Sequence, residues 1–360
     1  MHRLKRFKSV AWGIGISVLA FSVDLSAQEQ PAAPAITTSG FVDVYFSKNL
    51  GKPAGNVNTY RNFDLVQNRF DVSLAEIVFQ KAASPIGFRI DADFGSTNDL
   101  VQGSSSSTLA LLQQAYVTAV LPLGAGLTVD MGKFVTHMGY EVIESRDNWN
   151  YSRSFLFSWA IPYHHFGIRA AYPVLPMLTV TAHLSNGWNT LEDNNDAKTA
   201  GASLFFTPSD QITLAAGWIG GNEQPDSLNA GMRNVIDLTL IYRPTSSLSF
   251  AVNGDYGSES FAGSSVSWKG IALYGRYALS DASALALRTE IYDDTDGATT
   301  GTAMRLGELT ATFEHLLLGG LLLRAEFRHD WSTVPVYEQS DGGAPVDHQS
   351  TIALGAVVSF

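Results

Sequence analysis

The sequence predicts an all-β protein, a transmembrane antiparallel up-and-down β-barrel of about sixteen strands, with short periplasmic turns and long extracellular loops. Three observations carry this expectation. Past Ser39, apolar and polar residues alternate with a period of two in nearly every segment, and helical periodicity is never sustained. The apolar face stays uniform over about 9 to 11 residues, the length of a tilted strand that crosses a bilayer. The links between segments alternate between tight and long, as the two ends of a meander require.

Composition points the same way. Of 360 residues, 45% are hydrophobic and only 16% charged, against roughly a quarter charged in soluble domains. The 32 glycines, with abundant Ser, Thr, Ala and aromatic residues, favour strands and tight turns over helix bundles. With no cysteine in the chain, disulfides, thiolate metal sites and cysteine nucleophiles are excluded.

In chain order, Arg3, Lys5, Arg6 and Lys8 precede an apolar run from Val10 to Val23, and Leu25-Ser26-Ala27 has the small-residue form of a cleavage site. The run is shorter than the roughly 18 to 20 residues of a spanning helix. Residues 1–27 are therefore expected to be a signal peptide, 28–38 a periplasmic linker and 39–360 the barrel. Without the leader, 19 basic and 33 acidic residues remain, a net charge of −14. No basic stripe is present to neutralise phosphates, so no nucleic-acid partner is expected.

Sixteen strands are expected at about 39–47, 69–81, 85–96, 109–121, 126–135, 163–172, 178–186, 199–207, 210–219, 233–243, 246–257, 267–279, 283–293, 304–315, 320–330 and 350–360. In the third, Phe88, Ile90, Ala92 and Phe94 share one face, and Gly87, Arg89, Asp91 and Asp93 share the other. Even-to-odd links such as Pro208-Ser209 are tight, and odd-to-even links run to about 9 to 27 residues. Phe46, Phe94, Tyr172, Phe206, Trp218, Tyr242, Tyr256, Tyr277 and Trp331 fall near strand ends, where amphipathic rings form interfacial girdles. A soluble sandwich would instead expose charge and scatter its loop lengths. In the last strand Ile352, Leu354, Ala356, Val358 and Phe360 take every second position, and the chain ends on the aromatic. The terminal Phe360 resembles the signal read by the bacterial outer-membrane assembly machinery. An even count returns both ends to one side of the membrane, so the first and last strands can pair.

Sixteen strands enclose more space than side chains fill, so an aqueous lumen or one occupied by a loop is expected. The inward face is assigned Asp43, Arg89, Asp91, Asp93, Asp130, Arg169, His183, Asp237, Arg243, Asp255, Arg276, Arg288, Glu290, Glu308, Glu314, Arg324, Glu326 and Arg328. Seven of these are basic and ten acidic. Such a wall is hydrated and carries a transverse field, or its pairs simply brace it. The longest loop, about 136–162, holds Glu141, Glu144, Arg146, Asp147 and Arg153 together with Tyr140, Trp149, Tyr151, Phe155, Phe157 and Trp159. Six bulky aromatics suit a packed loop. Folded inward it would set its charges across the lumen as a constriction; as a lid or a subunit contact it would leave the lumen clear.

The run Gly132-Lys133-Phe134 with Thr136, Gly139 and Glu141, followed by Asn148, Asn150, Ser152-Arg153-Ser154, Phe157, Pro162, His165, Gly167 and Arg169, resembles the putative beta-barrel porin-2 (OmpL-like) family of Gram-negative outer membranes. Leu112-Gln113-Gln114-Ala115-Tyr116-Val117 upstream is similar to it as well. The resemblance implies a pore-forming protein of the cell outer membrane and supplies no solute.

Enzymatic readings find little support. His164, His183, His315 and His329 have no adjacent serine and orienting partner, as a barrel-borne hydrolase would need. His164 and His165 point to opposite faces, and no His-x-x-x-His motif occurs, so no metal, cofactor or catalytic residue is expected. Two functions remain: a diffusion porin for ions and small hydrophilic solutes, or a plugged structural or adhesive barrel whose loops bind a partner. Expected partners are outer-membrane lipid and lipopolysaccharide, the assembly machinery, small solutes and further copies of the chain as a homo-oligomer. The long loops hold sixteen acidic and six basic residues, so a weak preference for cations is expected.

Overall fold

The computed structural model describes residues 35–102, 108–228, 231–261, 264–340 and 343–360. The signal peptide expected at 1–27 and the first part of the linker lie outside the described residues.

Sixteen antiparallel strands close into one barrel in sequence order. They are β1 (Ile36–Asn49), β2 (Phe70–Lys81), β3 (Ile86–Phe94), β4 (Leu112–Leu121), β5 (Leu127–Val135), β6 (His164–Leu175), β7 (Leu178–Ser185), β8 (Thr199–Ser209), β9 (Ile212–Gly221), β10 (Arg233–Tyr242), β11 (Leu248–Phe261), β12 (Ser264–Ala278), β13 (Ser283–Asp294), β14 (Met304–Leu316), β15 (Leu321–Ser332) and β16 (His348–Ser359). Each overlaps the strand the alternation predicts. Only a short helix, α1 (Ser96–Gln102), and single helical turns interrupt the pattern among the described residues.

Closure comes from β1 against β16, in register from Phe41↔Ser359 to Asn49↔Thr351. Gly40 and Phe360 extend it by exchanging two backbone hydrogen bonds, 3.0 and 3.1 Å. A Cβ on Gly40 would lie 2.6 Å from the Phe360 ring and 2.3 Å from the Glu76 carbonyl, so only glycine fits beneath that ring. Every ladder is thus paired on both sides, which matters because an unsatisfied backbone group in hydrocarbon costs several kcal/mol.

The alternation sorts side chains as predicted. On β13, Leu285, Leu287 and Ile291 face outward and are exposed, whereas Arg288 and Glu290 face inward and are buried. Phe94, Trp218, Tyr242, Tyr256, Tyr277 and Trp331 are exposed near strand ends, as an interfacial girdle requires. With apolar residues outside and polar ones inside, the hydrophobic drive acts on the outer surface.

Two expectations change. β1 begins at Ile36, since Ile36, Thr37 and Thr38 pair with Lys81, Gln80 and Phe79; these residues of the expected linker continue the ladder. The strict alternation of link lengths fails between β11 and β12, where only residues 262–263 separate the strands. There Ser258 to Phe261 keep pairing with Ser267 to Ser264, so the expected loop is a hairpin extension.

A closed ladder of this kind resists detergent. The purified mature chain should therefore run at different positions on SDS gels before and after boiling, with a β-rich circular dichroism spectrum. A predominantly helical spectrum would contradict the fold.

The inward loop and the lumen wall as candidate functional site

Residues 136–163 join β5 to β6, and the segment folds into the barrel. A chain segment inside a lumen must satisfy its own peptide groups, and here charged side chains of the wall do so. From β13, Glu290 accepts hydrogen bonds from the backbone N–H groups of Phe155 and Leu156, 2.5 and 3.0 Å. Glu326 on β15 accepts from those of Tyr151 and Ser152, 2.6 and 3.0 Å. Arginines meet the carbonyls: Arg288 donates to Ser152 at 2.6 Å, Arg328 to Arg153 at 2.5 Å, and Arg324 to Asn148 at 2.6 Å and to Ser145. The N–H groups thus meet carboxylates and the carbonyls meet guanidinium groups, which are charge-assisted bonds on both sides.

Side chains complete the attachment. Arg288 bridges Glu141 of the loop, 2.7 Å, and Glu308 of β14, 2.8 Å, with all three side chains buried. On β1, Asp43 accepts from Ser145 Oγ at 2.6 Å and from the Tyr151 hydroxyl at 3.0 Å. Arg153 braces the loop internally through the carbonyls of Val142, Ile143 and Tyr151. Burial pulls its guanidinium below the usual range, and Glu141 and Asp43 oppose that shift. Beneath these polar contacts Phe155, Leu156, Phe157, Ala160 and Ile161 form an apolar cluster with Trp268, Tyr292 and Met304 of the wall.

The loop tip reaches the far wall. Glu144 accepts a hydrogen bond from Gln113 of β4, and Arg146 lies 3.6 Å from Glu76 of β2 and over the Phe41 ring. Loss of hydration there raises the Glu144 carboxyl above its ordinary range, against the lowering effect of the Gln113 amide. Asp147 beside it is exposed.

The predicted lumen charges therefore divide. Arg288, Glu290, Arg324, Glu326 and Arg328 are buried under the loop and hold it in place instead of hydrating a free wall. On the opposite arc, Arg89 pairs with Asp91 of its own strand at 2.9 Å, and Arg169 of β6 pairs with Asp130 of β5 at 2.7 Å. These two guanidinium groups keep 34% and 25% exposure, so this arc has access to water. Asp93 is buried, and neither of its carboxylate oxygens has a hydrogen-bond partner.

Sequence reasoning missed two parts of this region. Residues 50–69, between β1 and β2, pack on the inward loop. Arg61 bridges Asp64 and Asp330, and Asn62 donates to the Ser158 carbonyl and the Tyr163 hydroxyl. Phe63 packs edge-on to Tyr163. The apolar Tyr60 and Phe63 within a polar link were the available signal. The second part is a cluster of His137, His165 and His183. The last two lie on β6 and β7, but His137 reaches them only through the path of the loop.

Because Arg288 is wholly buried between two carboxylates, Arg288→Ala should destabilise the folded barrel by about 3 to 5 kcal/mol. The reading is the urea concentration at which the unheated gel band shifts. Exposed Arg305, paired with Asp293, should cost less than about 1 kcal/mol when replaced by alanine.

Comparison with known proteins agrees with this architecture. No curated protein sequence matches the chain. Among solved structures, the anion-selective porin from Comamonas acidovorans is 12% identical, with 91% of this chain and 99% of that chain covered and a TM-score of 0.63. The outer membrane channel DcaP of Acinetobacter baumannii is 12% identical, over 93% and 100% of the two chains, with a TM-score of 0.61. The trimer form of OmpT, an outer membrane protein of Vibrio cholerae, is 12% identical over 91% and 100%, with a TM-score of 0.61. At these identities the likeness is one of fold. The profile described as putative beta-barrel porin-2, OmpL-like, matches residues 35–360. The chain belongs to this family and is a porin of the cell outer membrane.

Proposed function

We propose that ions and small hydrophilic solutes diffuse passively through this porin along the gap between the inward loop and the wall of β3 to β7. The observation that carries this reading is the unequal exposure of the lumen arginines. Those of β13 and β15 are sealed beneath the loop, whereas Arg89 and Arg169 remain partly open to water. Arg89 and Arg169 line the path on the wall side, where Asp91 and Asp93 are buried and do not meet the solute, and Glu144, Arg146 and Asp147 narrow it from the loop side. Glu141 and Arg153, with Arg288, Glu290, Arg324, Glu326 and Arg328, position the loop. No step of this function is catalytic.

The leader at 1–27 is removed on export in this reading, and Phe360 serves as the assembly signal. Lipid and lipopolysaccharide surround the apolar band, and copies of the chain associate as a homo-oligomer. The well-packed core that Phe155, Leu156 and Phe157 form within the lumen also suits a plugged barrel whose outer loops bind a partner.

Conductance in planar bilayers separates these readings. Wild-type barrels should show discrete channels, and deletion of residues 140–155 should raise the single-channel conductance, because the uncovered charges of β13 and β15 become a hydrated wall. Silent wild-type barrels would support the plug, and an unchanged conductance in the assembled deletion variant would remove the constriction.

Ion preference follows from the outer mouth. Among the described loop residues counted above, eight acidic groups are exposed (Asp99, Asp147, Glu192, Asp196, Asp226, Asp296, Glu338 and Asp347), against two basic ones (Lys52 and Lys198). Lumen arginines Arg89, Arg169, Arg276, Arg288, Arg324 and Arg328 are paired with carboxylates, so this acidic excess dominates the field at the mouth. Potassium should be weakly preferred over chloride at low salt, and the preference should fade as salt rises, since the Debye length is about 8 Å at physiological ionic strength. Reversal potentials in a KCl gradient without divalent ions check this; anion selectivity at low salt would refute it.

A further inference from the structure

Three histidines converge on the inner wall where the loop leaves β5. His137 is the second residue of the loop, His165 lies on β6 and His183 on β7. One ring nitrogen from each lies within 4.8 Å of the other two. Ring centroids are 4.8 Å apart for His137 and His183, and 4.7 Å for His165 and His183. His165 and His183 are buried, and Nε2 of both His137 and His183 is enclosed without a hydrogen-bond partner. A buried imidazole nitrogen left unpaired costs free energy, and two together call for a common ligand.

The surroundings fit such a ligand. On β8, Gly201 pairs with His183 in register, and a Cβ there would lie 2.1 Å from His183 Cε1. Glycine therefore clears the ring's place. His137 and His183 also border a cavity of about 190 Å³, shared with Asp130, Phe134, Arg169 and Thr181. That volume holds several waters at about 30 Å³ each. The nearby Arg169 charge would repel a cation, but Asp130 at 2.7 Å offsets it.

We infer that His137, His165 and His183 form a binding site for a divalent transition-metal ion of the zinc, nickel or copper class, with a fourth position open to water in the cavity. Three imidazoles without carboxylate or thiolate select these borderline ions over calcium and magnesium, which take oxygen ligands. A tetrahedral zinc with nitrogen at about 2.0 to 2.1 Å spaces its ligands about 3.3 Å apart. The three ring nitrogens, within 4.8 Å of one another, would close to that spacing around the ion. The bound ion would staple the base of the inward loop to β6 and β7. This inference is independent of conduction, because binding is read on the folded barrel in detergent.

The test uses the full mature chain without a polyhistidine tag, stripped with chelator, with folding verified by the gel shift on heating. Calorimetric titration with Zn²⁺ should give one equivalent, and Co²⁺ should develop the visible absorption of a tetrahedral nitrogen site. His137→Gln and His183→Gln should each weaken Zn²⁺ binding by at least about ten-fold. Replacing His329 and His348, whose rings lie 5.9 Å apart elsewhere on the barrel, should leave binding intact. His137 borders a cavity and lies in a loop, so its variant keeps the test decisive if the His183 variant fails to fold. Absence of saturable binding, binding indifferent to His137→Gln in a folded barrel, or binding lost with His329 and His348 would overturn the inference.

Discussion

The structure depends on one constraint: no backbone polar group may be left unpaired in hydrocarbon. Pairing β1 with β16 meets it without an edge strand, and the price is a ring of sixteen strands too wide for side chains to fill. Whatever occupies that ring must in turn satisfy its own peptide groups. The same requirement that closes the barrel therefore dictates the chemistry of the loop inside it.

The wall meets the requirement with charge. Glu290 and Glu326 take pairs of backbone N–H groups, while Arg324 and Arg328 take carbonyls. Arg288 joins wall and loop through Glu308 and Glu141. Ionised groups make strong bonds in a site of low dielectric, but each becomes costly if its partner leaves. This explains why so many charges of β13 to β15 are fully buried in a channel-forming fold. They are structural members that hold the loop to the wall.

The loop also divides the lumen into unlike halves. Along β10 to β16 and β1 it packs through an aromatic cluster and hydrogen bonds. Toward β5 to β7 a cavity remains, bordered by Asp130, Arg169, His137 and His183. Small residues sustain that asymmetry, since Gly201 and Gly217 on β8 and β9 give the imidazoles of His183 and His137 their space.

The sequence by itself determined the sixteen strands, their order and the face each side chain takes. A two-residue period is a local property, and bilayer and lumen reward it in the same way at every strand; the inward positions of Arg89, Arg169, Arg288 and Glu326 were legible for that reason. It also marked residues 136–162 as a packed segment, because six aromatics have no use in free solvent. The tertiary structure alone decided where that segment lies and which charges it covers. Glu141 meets Arg288 and Ser145 meets Asp43 across separations of more than 100 residues, and no local periodicity encodes such pairings. The same holds for His137, which joins His165 and His183 only because the loop turns inward, and for residues 50–69, whose packing needs the loop already in place. Alternation sets which way a strand residue faces, but the partner it finds across the lumen depends on the folded path of the chain between them.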